Sequence, residues 1–242
     1  MNRKCGSGKL PVWMLLPGTA GLLLRKMLYA AAVDDKGLLP RNHPLETALL
    51  VLSAAVLIAV VWIVRKAETG GEPASGSLAA FGNLAAGAGI LSAVLTGTPI
   101  TGNYLESLWH ILGLAAPVCL LLAAIVRALG KRPFFLLYVV ACLFFLMHIV
   151  TRYPLWSGNP QMQDYLFSLL GAMSLTFFAF YTAAQETGSG NPRMRVGMGL
   201  AAIYLCTAEL ARSACPALYL GGLLWVLAEL GSIRYAFADQ TK

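Results

Sequence analysis

Three pairs of ionisable residues stand at helical spacing in this chain. Glu106 and His110 are i and i+4, His148 and Arg152 are i and i+4, and Glu209 and Arg212 are i and i+3. On a helix each pair shares a face. The two histidines suit pH-sensitive contacts, because the imidazole is the side chain that ordinarily titrates near neutrality. Glu209 and Arg212 suit the holding of a ligand or a gate. Asp164 adds a carboxylate that opens a further apolar run. Glu229 stands apart within "LWVLAELGS". A carboxylate in such surroundings is neutral, paired or beside water, so Glu229 is the best candidate for an ion or proton relay. A buried hydrogen bond is the competing role.

Each residue also has a plainer role. Ions near helix ends reach water by snorkelling or cap the helix at little cost. Glu46 and Asp164 read first as caps, since an acid in the first turn suits the helix dipole. Arg152 reads first as an interfacial anchor, and His110 and His148 as satisfied polar groups. For Glu209 and Arg212, a tie between helices stands level with a ligand pocket.

The surrounding elements are apolar. The chain has 242 residues, 58% of them hydrophobic and only 12% charged. Its mean hydropathy is +0.69. Soluble domains carry about 25% charged residues, so the deficit points to lipid as the solvent. A crossing needs about 20 apolar residues. Seven stretches qualify, at residues 44–64, 78–98, 107–126, 133–151, 163–184, 196–214 and 216–233. An eighth, at 10–33, is interrupted by Arg25 and Lys26. In lipid the backbone must satisfy itself, so runs of this kind are helices. The expected fold is an all-α integral membrane bundle of about eight helices in a single polytopic domain, residues 1–242.

Placement of the basic residues orients it. With eight crossings, Arg3, Lys4, Lys9, Arg65, Lys66, Arg127, Lys131, Arg132, Arg193, Arg195, Arg234 and Lys242 share one side. The opposite loops hold only Lys36, Arg41 and Arg152. The positive-inside rule then puts both termini in the cytoplasm. The first run has rival readings. "RKCGSGK" resembles a charged n-region and Ala30–Ala32 offers an A-x-A site, so a cleaved signal peptide would leave seven spans. An interfacial first helix is the other alternative.

In this frame Glu106, His110, His148, Arg152, Asp164, Glu209 and Arg212 all lie toward the exterior. Together they would line a polar vestibule for a small polar or zwitterionic ligand or an ion. Tyr104, Trp109, Tyr153 and Trp156 are available as walls, and Pro117 could kink the helix beneath. Helices opening after "NHPLE", "GNYLE" and "NPQMQD" suggest a repeated hairpin, although ordinary cap chemistry yields the same pattern. The small-residue runs "FGNLAAGAGILSA" and "VGMGLAA" suit close helix packing.

Other chemistries find little footing. There is no Walker A sequence, HExxH or GxSxG. Phe144 and His148 form the FxxxH fragment of prenyl-protein metalloproteases, without the other motifs that family needs. His43, His110 and His148 lack ligand spacing for zinc, and the five cysteines form no CxxC. No metal, cofactor or catalytic residue is expected. The net charge of +7 is divided among short loops rather than forming a stripe, which argues against nucleic acid and suits anionic lipid headgroups.

The segment "LLPGTAGLLLRKMLYAAAVDDKGLLPRNHPLETALLVL", Leu15–Leu52, resembles the N-terminal part of uncharacterised multi-pass membrane proteins of Clostridia-type Gram-positive bacteria. The resemblance implies a bacterial plasma membrane and a retained first span. It implies no activity and no catalytic residues. The leading expectation is therefore a small transporter-like or ligand-binding membrane protein with Glu229 as an inner relay. A non-catalytic partner of another membrane subunit is second, and an intramembrane enzyme is last.

Overall fold

The computed structural model describes residues 5–6, 10–32, 43–68, 76–97, 104–157, 165–232 and 235–237. Strand β1 (Cys5–Gly6) leads into a short α1 (Leu10–Trp13), α2 (Leu15–Ala32) and α3 (Pro44–Lys66). After β2 (Ala67–Glu68) come α4 (Gly76–Thr96), α5 (Tyr104–Ala128), α6 (Leu136–Ser157), α7 (Leu166–Glu186), α8 (Pro192–Glu209) and α9 (Pro216–Gly231). Strand β3 (Tyr235–Phe237) closes the described chain.

Local chemistry sets the helix ends. Asn191 accepts a hydrogen bond from the Arg193 amide at 3.0 Å, with Pro192 as the first helical residue. That is the favoured cap-then-proline start. At α3 the cap is His43, whose Nδ1 accepts from the Leu45 amide at 3.3 Å. Beyond α5 and α7 the chain turns through Gly130 and Gly188, at φ 72° and 79°. Glycine enters that left-handed region without a Cβ penalty.

Helices α4, α5, α6, α7, α8 and α9 pack each on the next, and α9 returns to α4. The result is a closed circuit of six. Helices α2 and α3 pack on each other and on α8, which is buried along nearly its whole length. The circuit is filled by aromatic side chains. Trp225 of α9 stacks on Tyr138 of α6 and meets the edge of Phe178 of α7.

Small residues bring α4 and α9 together. A Cβ on Gly89 would stand 2.5 Å from the Ala217 carbonyl oxygen, and one on Gly221 2.6 Å from that of Ala85. In a lipid setting, which offers no hydrophobic drive between helices, such close backbone packing would carry the association. Large apolar side chains face outward instead, among them Val51, Ile58 and Trp62 of α3 and Ile111, Leu114 and Val118 of α5.

The expected runs appear as eight long helices, but they do not qualify equally as crossings. Among the described residues, five are long and apolar enough to cross a membrane: α3, α4, α5, α7 and Leu136–Pro154 of α6. Helix α9 is apolar but has 16 residues. Helix α2 carries Arg25 and Lys26, and α8 carries Arg193, Arg195 and Glu209. The seventh run also stops early. It was expected to reach residue 214, but α8 ends at Glu209. Pro216 begins the next helix after a non-helical Cys215 at φ −132° and ψ 67°, and residues before proline avoid the helical region. Glu209 and Arg212 therefore do not share a helical face.

A feature with no expectation is the ribbon in which β3 pairs antiparallel with both β1 and β2. It gathers the N-terminal strand, the strand after α3 and the C-terminal strand at one end of the bundle.

Candidate functional site

Two buried polar clusters occupy opposite ends of the six-helix circuit. The first lies at the ribbon end. Glu229 of α9 is fully buried, and its Oε2 accepts from Arg195 of α8 at 2.5 Å and Arg127 of α5 at 3.1 Å. Arg127 also reaches Glu186 of α7 at 2.6 Å. Arg195 donates to Gln185 and, through Nε, to Thr182 at 3.3 Å. Nearby, Asn83 of α4 donates to the Tyr138 hydroxyl at 3.2 Å, and the Arg127 guanidinium lies 5.7 Å from the Tyr138 ring centre. All six circuit helices thus contribute to this seal.

Two carboxylates balance two guanidiniums in the seal. Desolvated ions of this kind are tolerated only when paired and hydrogen-bonded. Satisfaction is incomplete, because Glu229 Oε1, Arg127 Nε, Asn83 Oδ1 and Trp225 Nε1 are buried without a hydrogen-bond partner.

The second cluster lies at the far end, where a cavity of about 390 Å³ opens. His148 and Arg152 of α6 form one wall. Tyr165 and Ser168, at the start of α7, form another, and Tyr29 of α2 a third. Arg212 through Cys215, in the α8–α9 connection, and Tyr219 of α9 complete it. Behind Ser168 runs a buried ion pair. Arg25 of α2 donates to the Glu209 carboxylate and, at 3.2 Å, to the Ala208 carbonyl. The Ser168 hydroxyl donates to the same carboxylate, and Tyr219 donates to the Ser168 carbonyl at 3.0 Å.

Aromatic rings support the cavity's cations. Arg212 sits 4.4 Å from the Tyr29 ring centre, and Arg152 sits 5.5 Å from that of Trp109. Trp109 also packs near His148, at 6.2 Å between ring centres. His148 Nδ1 and Trp109 Nε1 are both buried without a hydrogen-bond partner. Burial pushes the Cys215 thiol above its ordinary value, with Arg152 pulling the other way.

Of the residues expected at an exterior vestibule, His148, Arg152 and Arg212 line this cavity, and Glu209 lies behind its Ser168 wall. Glu106 and His110 do not line it. Both are half-buried on the first turns of α5, and His110 stands edge-on to Trp109 at 4.9 Å. Asp164 lies outside the described residues, as do the asparagines of the suggested repeat. Tyr104 is 92% exposed and forms no wall. Glu229 belongs to the opposite cluster.

Sequence reasoning missed several participants. Arg127 and Arg195 were placed in cytoplasmic loops, yet both are buried on helices and hold Glu229. Arg25 counted only as an interruption, although it pairs with Glu209. The available signal was the scarcity of charges itself, since a lone ion within an apolar run needs a partner. Among the described residues, no group of three or more His, Cys, Asp or Glu side chains converges as a metal site.

These features define a class. The chain is an all-helical bundle, apart from its short ribbon, and its five long apolar helices fit a multi-pass membrane protein. No family model, no curated protein and no solved structure matches it.

Proposed function

We propose that this chain is a transporter-like protein of a bacterial plasma membrane. In this reading all eight long helices cross the bilayer, with α8 and α9 largely covered by the others and α2 packed on α3 and α8 at the edge. Both termini lie in the cytoplasm, at the ribbon end. A small polar ligand enters the cavity at the exterior end, and the Glu229 seal closes the inner end. The observation that carries the reading is the asymmetry of the circuit, which has a cavity at one end and interlocked ions at the other. The basic loops and the N-terminal resemblance to bacterial membrane proteins support the orientation and the setting. Polar groups inside a membrane bundle commonly mark a substrate or ion pathway. Opening the inner end would require Arg127 and Arg195 to exchange or release Glu229, which makes Glu229 the relay.

The test uses Cys215 as a reporter in a chain whose other cysteines are replaced by serine or alanine. A membrane-impermeant thiol reagent should modify Cys215 in right-side-out vesicles and spare it in inverted ones. The Arg195→Gln substitution should raise the inverted-side rate by loosening the seal. Equal rates from both sides in the parent chain would end the proposal of a sealed inner end. No reaction from the outside would remove the exterior cavity.

A further inference from the structure

We propose that Arg127 is the moving bar of the inner gate, and that Arg195 is a fixed tie between the helices beside it. This rests on the reading above, that the Glu229 seal closes the inner end, and assigns which of its two cations gives way. The first observation is reach. Around the circuit, α8 packs on α7 and α9. The polar partners of Arg195 belong to those two neighbours: Thr182 and Gln185 of α7 and Glu229 of α9. Helix α5 packs instead on α4 and α6. Arg127 nevertheless ends on Glu186 of α7 and Glu229 of α9. Each of those helices lies two places away along the circuit, in opposite directions. The Arg127 side chain therefore crosses the interior that the six helices enclose.

The second observation is how completely each guanidinium is held. Arg195 donates through Nε, Nη1 and Nη2. Arg127 donates through its two terminal nitrogens, and its Nε is buried without a hydrogen-bond partner. A buried donor left unpaired is costly, so Arg127 is the more weakly held of the two. Charge supplies the third observation. Arg195 pairs with one carboxylate, Glu229, whereas Arg127 pairs with two. If Arg127 leaves Glu229 and stays with Glu186, the seal parts into two neutral pairs, Arg127 with Glu186 and Arg195 with Glu229. If Arg195 leaves, it keeps only Gln185 and Thr182, and one guanidinium is left to two carboxylates. An uncompensated buried charge is the larger cost. Glu186 is also the member of the four nearest water, at 13% exposed against 6% or less for the others.

The experiment uses the full chain with Cys215 as its only cysteine, and an impermeant thiol reagent applied to inverted vesicles. Two charge-balanced double variants are compared. Arg127→Gln with Glu186→Gln removes the bar and leaves the Arg195–Glu229 pair whole. Arg195→Gln with Glu229→Gln removes the ion pair of the tie and leaves Arg127 with Glu186. The first should raise the inverted-side rate by about tenfold, the factor that losing one hydrogen bond to a charged group carries. The second should stay close to the parent rate, because a glutamine amide oxygen at position 229 still accepts from Arg127. Arg195→Gln alone differs, since it leaves Glu229 short of positive charge. Right-side-out rates should match the parent in both double variants, which reports an intact cavity.

If the first double variant loses the parent's right-side-out rate, Arg127→Lys carries the test. It keeps the charge and loses the planar fork that spans two carboxylates. It should raise the inverted-side rate several-fold, and Arg195→Lys should raise it less. A rise from the second double variant that equals or exceeds that from the first overturns the assignment of the bar. So does the absence of a rise from the first, or from Arg127→Lys where that variant is used. Equal rates from the two sides in the parent chain would instead end the sealed-end reading on which the proposal rests.

Discussion

Glu229 illustrates how one side chain is held by several elements. Its carboxylate is buried, and one oxygen accepts from both Arg127 and Arg195. Removing one member of a buried ion pair costs about 3–5 kcal/mol, mainly because the remaining charge is left uncompensated. Glu229→Gln should therefore lower the thermal midpoint in detergent clearly. Adding Arg195→Gln should recover part of the loss rather than deepen it, because the double variant restores charge balance. Strictly additive losses would show that the two groups are not coupled. Arg25→Gln should be similarly damaging, since it strips Glu209 of a guanidinium in a nearly dry site.

At the scale of elements, the α4–α9 crossing depends on absent side chains. Gly89 faces the Ala217 backbone of α9 so closely that even alanine must push the helices apart. Gly89→Ala should cost about 1–3 kcal/mol, the usual range for overpacking. Gly87, two residues earlier, is the control. A Cβ there would sit 3.5 Å from Pro117, an ordinary contact. Gly87→Ala should be neutral, or stabilising by up to about 1 kcal/mol from helix propensity. Thermal midpoints of the two variants check this, and equal effects would argue against a close α4–α9 crossing. The small-residue run in α4 announced close packing. It did not name the partner, because α9 is distant in sequence and its matching Gly221 lies in an ordinary apolar run.

For the whole molecule, the ribbon places the N-terminal strand, the link after α3 and the C-terminal strand at the same end. An even number of passages between ends follows, independently of the charge bias in the loops. Single cysteines introduced as Lys36→Cys, Thr101→Cys and Ser189→Cys test the orientation. On intact cells an impermeant reagent should label the first two and spare the third. The reverse pattern would invert the bundle and turn the cavity toward the cytoplasm.

Residues 44–64 and 107–126 announced their helices because about 20 apolar residues in a row have few other stable forms. The sequence alone thus determined the helical, apolar character of the chain and the rarity of its charges. It also marked His148, Arg152, Glu209, Arg212 and Glu229 as worth explaining. Only the tertiary structure decided which of them meet. Arg25 and Glu209 are 184 residues apart, and Arg127 and Glu229 are 102 apart. Helical periodicity reports faces within one element and carries no information about which faces are pressed together. The closed circuit of six helices supplies that choice, separating the ionic seal around Glu229 from the arginine-lined cavity at the other end.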